Sequence, residues 1–168
     1  FFPVHNCIVW ADTRSVAQAT TISSLENVTH WNPAISAYSA PKIMWLRDNK
    51  PEVFNKIRHI LFPKDYLRFR MTGLLNTDFS DASGTLAWDF ARRQWDSEIL
   101  SAISVPSALF PQPQESSHSS GTLLHEAASE MGLRPGIPVA IGAGDVAAAV
   151  IGSGMTGVNT LLINAGTA

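Results

Sequence analysis

The sequence holds one cysteine, Cys7, in 168 residues. That excludes an internal disulfide and any zinc site built on several thiolates, and a reduced, cytoplasmic setting is the expectation that follows. No apolar run reaches the roughly 18 residues that a membrane helix needs, so no membrane contact is expected. A dominant charge is also missing: 12 basic residues face 14 acidic ones, for a formal net charge of -2. Bulk-charge binding to nucleic acid is therefore not expected. Phe1-Phe2-Pro3 has neither an initiator Met nor a basic segment leading into an apolar stretch, so no signal peptide is expected. At the other end the chain stops at Thr167-Ala168, straight after an apolar run. The expectation is an internal piece of a longer chain.

Several reactive constellations are absent as well. The five histidines, His5, His30, His59, His118 and His125, show no metal-ligand spacing. His125-Glu126 would need a second His at position 129 for a zinc-protease helix, and that residue is Ser129. Neither a G-x-S-x-G nucleophile elbow nor a G-x-x-x-x-G-K-[ST] phosphate loop occurs. What is present is a composition that folds: 45% apolar and 15% charged residues, enough for a core in one domain or one and a half.

Periodicity and punctuation give an α/β reading. Residues 4–10 (Val4 to Trp10) include the apolar run Cys7-Ile8-Val9-Trp10 and suit a short buried strand. Asp12 or Thr13 could cap a following helix to about Leu25. A helix is predicted from Pro41, with Ile43 and Leu46 on one face, and another from Pro51. Pro63 to Met71 reads as helix, with Asp65 in its first turn and Gly73 as its stop. The basic residues Arg68, Arg70, Arg92 and Arg93 are expected on solvated surface. Asp96 is placed to cap a helix to about Ala102. Residues 104–121 hold three prolines and the run Ser116-Ser117-His118-Ser119-Ser120, which reads as an exposed connection and the best place for a domain boundary. After it, Thr122 is expected to cap a helix ended by Gly132, Pro138 to Ile141 and Thr160 to Ile163 to form strands, and Val146 to Ile151 to form a small-residue helix.

Three local features could carry chemistry. Gly142-Ala143-Gly144-Asp145-Val146-Ala147 follows a strand and opens a helix. Its spacing meets the dinucleotide fingerprint, but that site needs an acidic residue about 20 positions on, and no Asp or Glu follows Asp145. Two readings of Asp145 stay open: a helix N-cap in a tight glycine turn, or a general base on a loop that lets substrate approach. Ala165-Gly166-Thr167 ends an apolar strand, where backbone N–H groups and a hydroxyl can meet a phosphate or simply turn the chain. In Trp10-Ala11-Asp12-Thr13-Arg14, Trp10 could stack on a sugar face or sit in the core.

In this order along the chain, these segments resemble the FGGY carbohydrate kinases, most closely their xylulokinase members. Trp10-Ala11-Asp12-Thr13-Arg14 is similar to the family's W-x-D-x-R, and Ser39 to Leu46 to its T-A-P-K-L-x-W-V segment. Leu61 to Arg68 with Met71-Thr72-Gly73 resembles L-x-P-K-D-Y-L-R…M-T-G, and Thr77 to Thr85 resembles T-D-x-S-D-A-S-G-T. Gly142 to Asp145 and Ala165 to Thr167 resemble the catalytic G-x-G-D and the phosphate-loop G-T.

The resemblance implies an actin-like, ribonuclease-H-like fold of two domains, incomplete at both ends, with the active site in the cleft between them. Residues 1–112 would be the remainder of the N-terminal domain and residues 113–168 the start of the C-terminal one. It implies ATP- and Mg²⁺-dependent phosphorylation of a ketopentose hydroxyl such as one of D-xylulose. Asp145 would be the base, with Trp10 beside the sugar and Gly166 and Thr167 at the terminal phosphates. Val146 stands where the family usually carries a polar sugar contact, Asn or Gln. That departure favours the alternative of a non-catalytic sugar-binding or regulatory relative. Ala37 is small where glycerol-specific members carry a Tyr, which suits a larger sugar. The family's opening D-x-G-T, whose Asp helps hold the metal, does not occur, so this stretch alone is expected to be inactive. Apolar surface left unpaired would favour a homodimer or aggregation.

Overall fold

The computed structural model describes residues 2–25, 32–155, 157 and 161. Eight α-helices are described: α1 (Val16–Ser23), α2 (Ser39–Asn49), α3 (Pro51–Phe54), α4 (Pro63–Thr72), α5 (Phe79–Ser83), α6 (Ser97–Ala102), α7 (His125–Met131) and α8 (Asp145–Gly152). Six short strands join them: β1 (Thr77–Asp78), β2 (Trp88–Asp89), β3 (Gln94–Trp95), β4 (Pro113–Gln114), β5 (Ser119–Thr122) and β6 (Pro138–Ala140). They pair as three two-stranded ladders, β1 parallel to β4, β2 antiparallel to β3 and β5 antiparallel to β6. The fold is α/β.

Apolar side chains from α1, α2, α5, the β2–β3 hairpin and α6 build one core. Ile22, Ile43, Met44, Trp88, Trp95, Ile99 and Ile103 are among its buried members. Its centre is aromatic. Trp88 meets Trp95 edge-on at 5.2 Å between ring centroids, and Trp95 meets Phe110 at 4.6 Å. These distances are those at which the positive edge of one ring favours the negative face of another.

The local punctuation explains several helix ends. Asp96 accepts hydrogen bonds from the N–H groups of Glu98 and Ile99 and so caps α6 as expected. Gly73 ends α4 with φ 75°, a left-handed conformation that a Cβ would strain. Pro51 opens α3, and α2 begins at Ser39, two residues before the expected Pro41.

Four expectations are corrected. Residues 4–10 form no strand: among the described residues they have no ladder partner, and a strand without one gains no backbone hydrogen bonds. Neither Asp12 nor Thr13 caps α1, whose N-cap is Ser15; the Asp12 carboxylate accepts from the Arg14 backbone and guanidinium instead. Thr122 ends strand β5, and α7 starts three residues later with Leu124 as its N-cap. Residues 104–121 are not simply an exposed connection. They bury Val105 and Phe110 in the core and supply β4 to pair with β1. The predicted strand over Thr160 to Ile163 lies almost wholly outside the described residues.

Candidate active site

Helix α4 inverts the usual amphipathic pattern. Asp65, Arg68 and Thr72, spaced to share one face, are buried, whereas Leu67 is exposed. The buried face is therefore polar, and buried polar groups need partners. They find them within α4, in Asn76 just before β1 and in the loop after β6.

Lys64 is the hub. Its Nζ lies 2.8 Å from Asp78 Oδ1, 3.1 Å from Asp65 Oδ1 and 3.1 Å from Asp81 Oδ2. Burial pulls the Lys64 pKa down, but the hydrogen bond to Asp78 and the charges of Asp65 and Asp81 outweigh it and hold the ammonium above its ordinary value. For Asp78, burial is again opposed and overcome, here by hydrogen bonds from Lys64 and Ser80, and its carboxyl sits below the usual range. Asp81 goes the other way: burial outweighs Lys64 and raises it. Asp78 also caps α5, accepting from the Ser80 N–H at 2.8 Å and from the Ser80 hydroxyl.

Arg68 carries the network to the chain after β6. It is 3% exposed, which corrects the expectation that it lies on solvated surface; Arg70, Arg92 and Arg93 are exposed as expected. Its Nη2 lies 2.9 Å from Asp65 Oδ1, its Nε donates to Asn76 Oδ1 at 2.9 Å, and its Nη1 donates to the Ile141 carbonyl. The fork of the guanidinium suits this task, since it can hold several acceptors in one plane.

The glycine loop is fixed at three successive points. Arg68 holds the Ile141 carbonyl. The Gly142 N–H donates to the Ser116 carbonyl at 2.9 Å. The Gly144 N–H donates to Ser80 Oγ at 2.8 Å. Gly144 lies so close to α5 that a Cβ on it would stand 3.0 Å from Asp81 Oδ1. Space, not backbone conformation, is what favours glycine there, since the Gly144 φ of -60° suits any L residue.

Asp145 follows as the first residue of α8. The N-cap is Gly144, so the helix-cap reading of Asp145 is corrected. Its carboxylate is exposed. Oδ1 accepts from the Val146 N–H at 2.8 Å, and Oδ2 has no hydrogen-bond partner among the described residues. Val146 is 64% exposed. The result is a single open carboxylate on a loop whose backbone is held by a buried ionic network.

Trp10 is 66% exposed, which removes the core reading and leaves the ring open to solvent. It sits in a turn closed by the Asp12 N–H donating to the Val9 carbonyl at 3.1 Å. Beyond it, Arg14 pairs with Asp12 at 2.7 Å and lies over the Trp45 ring, 4.8 Å from its centroid. The hydrogen bond from Arg14 holds the Asp12 carboxyl below its usual range. Gly166 and Thr167 lie outside the described residues.

The network residues Lys64, Asp65, Arg68, Asp78, Ser80 and Asp81 were not singled out from sequence as functional. Their signal was the run Pro63 to Thr85, the most specific stretch of the resemblance, read there as family pattern only.

Residues 2–152 match the FGGY family of carbohydrate kinases, N-terminal domain. The chain is 36% identical over 170 residues to a xylulose kinase of Lactococcus lactis, covering 98% of this chain and 34% of that one. It is 37% identical over 163 residues to the xylulose kinase of Escherichia coli, covering 95% and 34%. The chain thus spans about a third of the length of these curated relatives. In structure it superposes on a xyloylose kinase from Brucella ovis with a TM-score of 0.80 at 37% identity, over 89% of this chain and 31% of that one. A Plasmodium falciparum glycerol kinase with ADP gives a TM-score of 0.82 at 28% identity, over 92% and 32%. The α/β architecture is accordingly part of the actin-like, ribonuclease-H-like kinase fold, and the chain belongs to the FGGY family of carbohydrate kinases.

Proposed function

We propose that this chain is part of an ATP-dependent sugar kinase of the xylulokinase type, with Asp145 as general base and a ketopentose such as D-xylulose as substrate. The observation that carries the reading is the open Asp145 carboxylate on a backbone held at Ile141, Gly142 and Gly144. Asp145 takes the proton of the sugar hydroxyl as its oxygen forms a bond to the terminal phosphorus of ATP. The bond from that phosphorus to ADP breaks, and Asp145 later returns its proton to water. Phosphoryl transfer asks a protein mainly for positioning and charge stabilisation, so a carboxylate on a backbone held in place is the contribution this chain can make. Trp10 offers an exposed ring to the sugar's apolar face. Gly166 and Thr167 would meet the terminal phosphates.

The family implies Mg²⁺. The carboxylates of Asp65, Asp78 and Asp81 do not suit a dication, because Lys64 and Arg68 already lie against them. Among the described residues no group of three or more acidic, His or Cys side chains could hold a metal ion.

A second reading, a sugar-binding relative without turnover, has one observation in its favour. Val146, exposed beside Asp145, offers no hydrogen bond to a sugar. A coupled assay of ADP release with a panel of ketopentoses, run on the full-length protein, separates the two. Substrate-dependent ADP release supports the kinase; saturable sugar binding without ADP release supports the binder.

A further inference from the structure

We propose that Ser80 is a positioning residue for Asp145, acting through the Gly144 N–H; this rests on the kinase reading above. The side chain is bound from both sides. Its hydroxyl donates to Asp78 Oδ2, whose carboxylate is in turn held by Lys64. With its proton so engaged, Ser80 Oγ turns a lone pair outward and accepts the Gly144 N–H at 2.8 Å, across 64 residues of sequence.

Gly144 is the N-cap of α8, and its φ and ψ set the direction in which the helix and Asp145 leave the loop. The N-cap N–H makes no bond inside its own helix, so Ser80 supplies what local structure cannot. The other two fixed points, at Ile141 and Gly142, lie further from Asp145 along the chain. Gly144 is therefore the last anchor before the carboxylate. Asp81 packs close by, since a Cβ added to Gly144 would stand 3.0 Å from its Oδ1, and the Ser80 bond ties the Gly144 N–H to α5. The Ser80 bond thus holds the loop from the α5 side.

A displacement of the order of 1 Å at a reacting group can cost about 100-fold in rate. Ser80→Ala removes the acceptor and leaves Asp78, Lys64 and Asp81 in place. Ser80→Thr keeps a hydroxyl at the same carbon.

The test uses the full-length protein with three readouts: kcat and KM for D-xylulose, Tm, and hydrogen exchange of the Gly144 amide. The expected result for Ser80→Ala is a fall in kcat of about 10- to 100-fold, KM changed less than about threefold, and faster Gly144 exchange. Ser80→Thr should restore kcat and exchange to near wild type. A lowered Tm with kcat intact would overturn the proposal, as a merely structural serine would behave so. Unchanged Gly144 exchange in Ser80→Ala would also overturn it. Failure of the kinase reading looks different: the wild type itself would release no ADP with any sugar, whatever Ser80 does to Gly144 exchange.

Discussion

Lys64 Nζ stands 2.8 Å from Asp78 Oδ1, and the carboxylate it reaches is fully buried. The same ammonium also lies 3.1 Å from Asp65 and from Asp81, so one cation serves three acids. Removing one partner of a buried pair leaves the other uncompensated, which is far more damaging than never having had the pair. Lys64→Met should destabilise the fold by about 3 kcal/mol or more, read as a drop in the urea midpoint. A change below about 0.5 kcal/mol, the range of ordinary surface substitutions, would show the network to be peripheral.

The same lysine predicts an alkaline limit. Its folded pKa lies above its ordinary value. The stabilisation is then complete below the unfolded pKa of about 10.4 and is lost as pH climbs through the folded pKa. Tm measured from pH 8 to 12 should fall more steeply for wild type than for Lys64→Met across that window. Parallel curves would remove Lys64 as the source.

Gly144 gives a test of packing without backbone strain. A Cβ there would meet Asp81 Oδ1 at 3.0 Å and Ser80 Oγ at 3.4 Å. Gly144→Ala should cost about 1–3 kcal/mol. In an Asp81→Ala background the added methyl has room, so the two changes should be non-additive by more than about 0.5 kcal/mol. Strict additivity in a double-mutant cycle would contradict the close approach.

Val146 tests the sugar side of the site. It is exposed, so Val146→Asn should leave stability within about 0.5 kcal/mol. If the residue faces the sugar, one gained hydrogen bond of about 1 kcal/mol lowers KM about fivefold. An unchanged KM would put position 146 outside the sugar site.

The helices that carry strong end signals were legible in the sequence. Asp96 caps α6 and Gly73 ends α4 because a short carboxylate and a residue without Cβ do these jobs locally, with no help from distant chain. The glycine turn before α8 was legible for the same reason. What failed depended on partners far away. Val4 to Trp10 has strand composition but no neighbour among the described residues to complete a ladder. Thr122 looks like a cap, yet β6 claims it for a strand. Arg68 looked like surface because its neighbours Leu67 and Phe69 are apolar, but a buried arginine is decided by its acceptors, Asp65, Asn76 and Ile141, the last of them 73 residues on. The loop's sequence pointed to Asp145. That Lys64, Asp78 and Ser80 hold the loop came only from three-dimensional proximity.

The most direct measurement is kcat and Tm of Asp145→Asn in the full-length protein. Asn keeps nearly the same size at the first position of α8, where a carboxylate near the helix N-terminus contributes only about 0.3–1 kcal/mol. Tm should therefore move little. Asn cannot take the hydroxyl proton, and loss of a general base costs about 10²–10⁴-fold. The account predicts a fall in kcat of at least about 100-fold with sugar binding retained. A kcat near wild type would contradict it and leave Asp145 as a residue of the helix end alone.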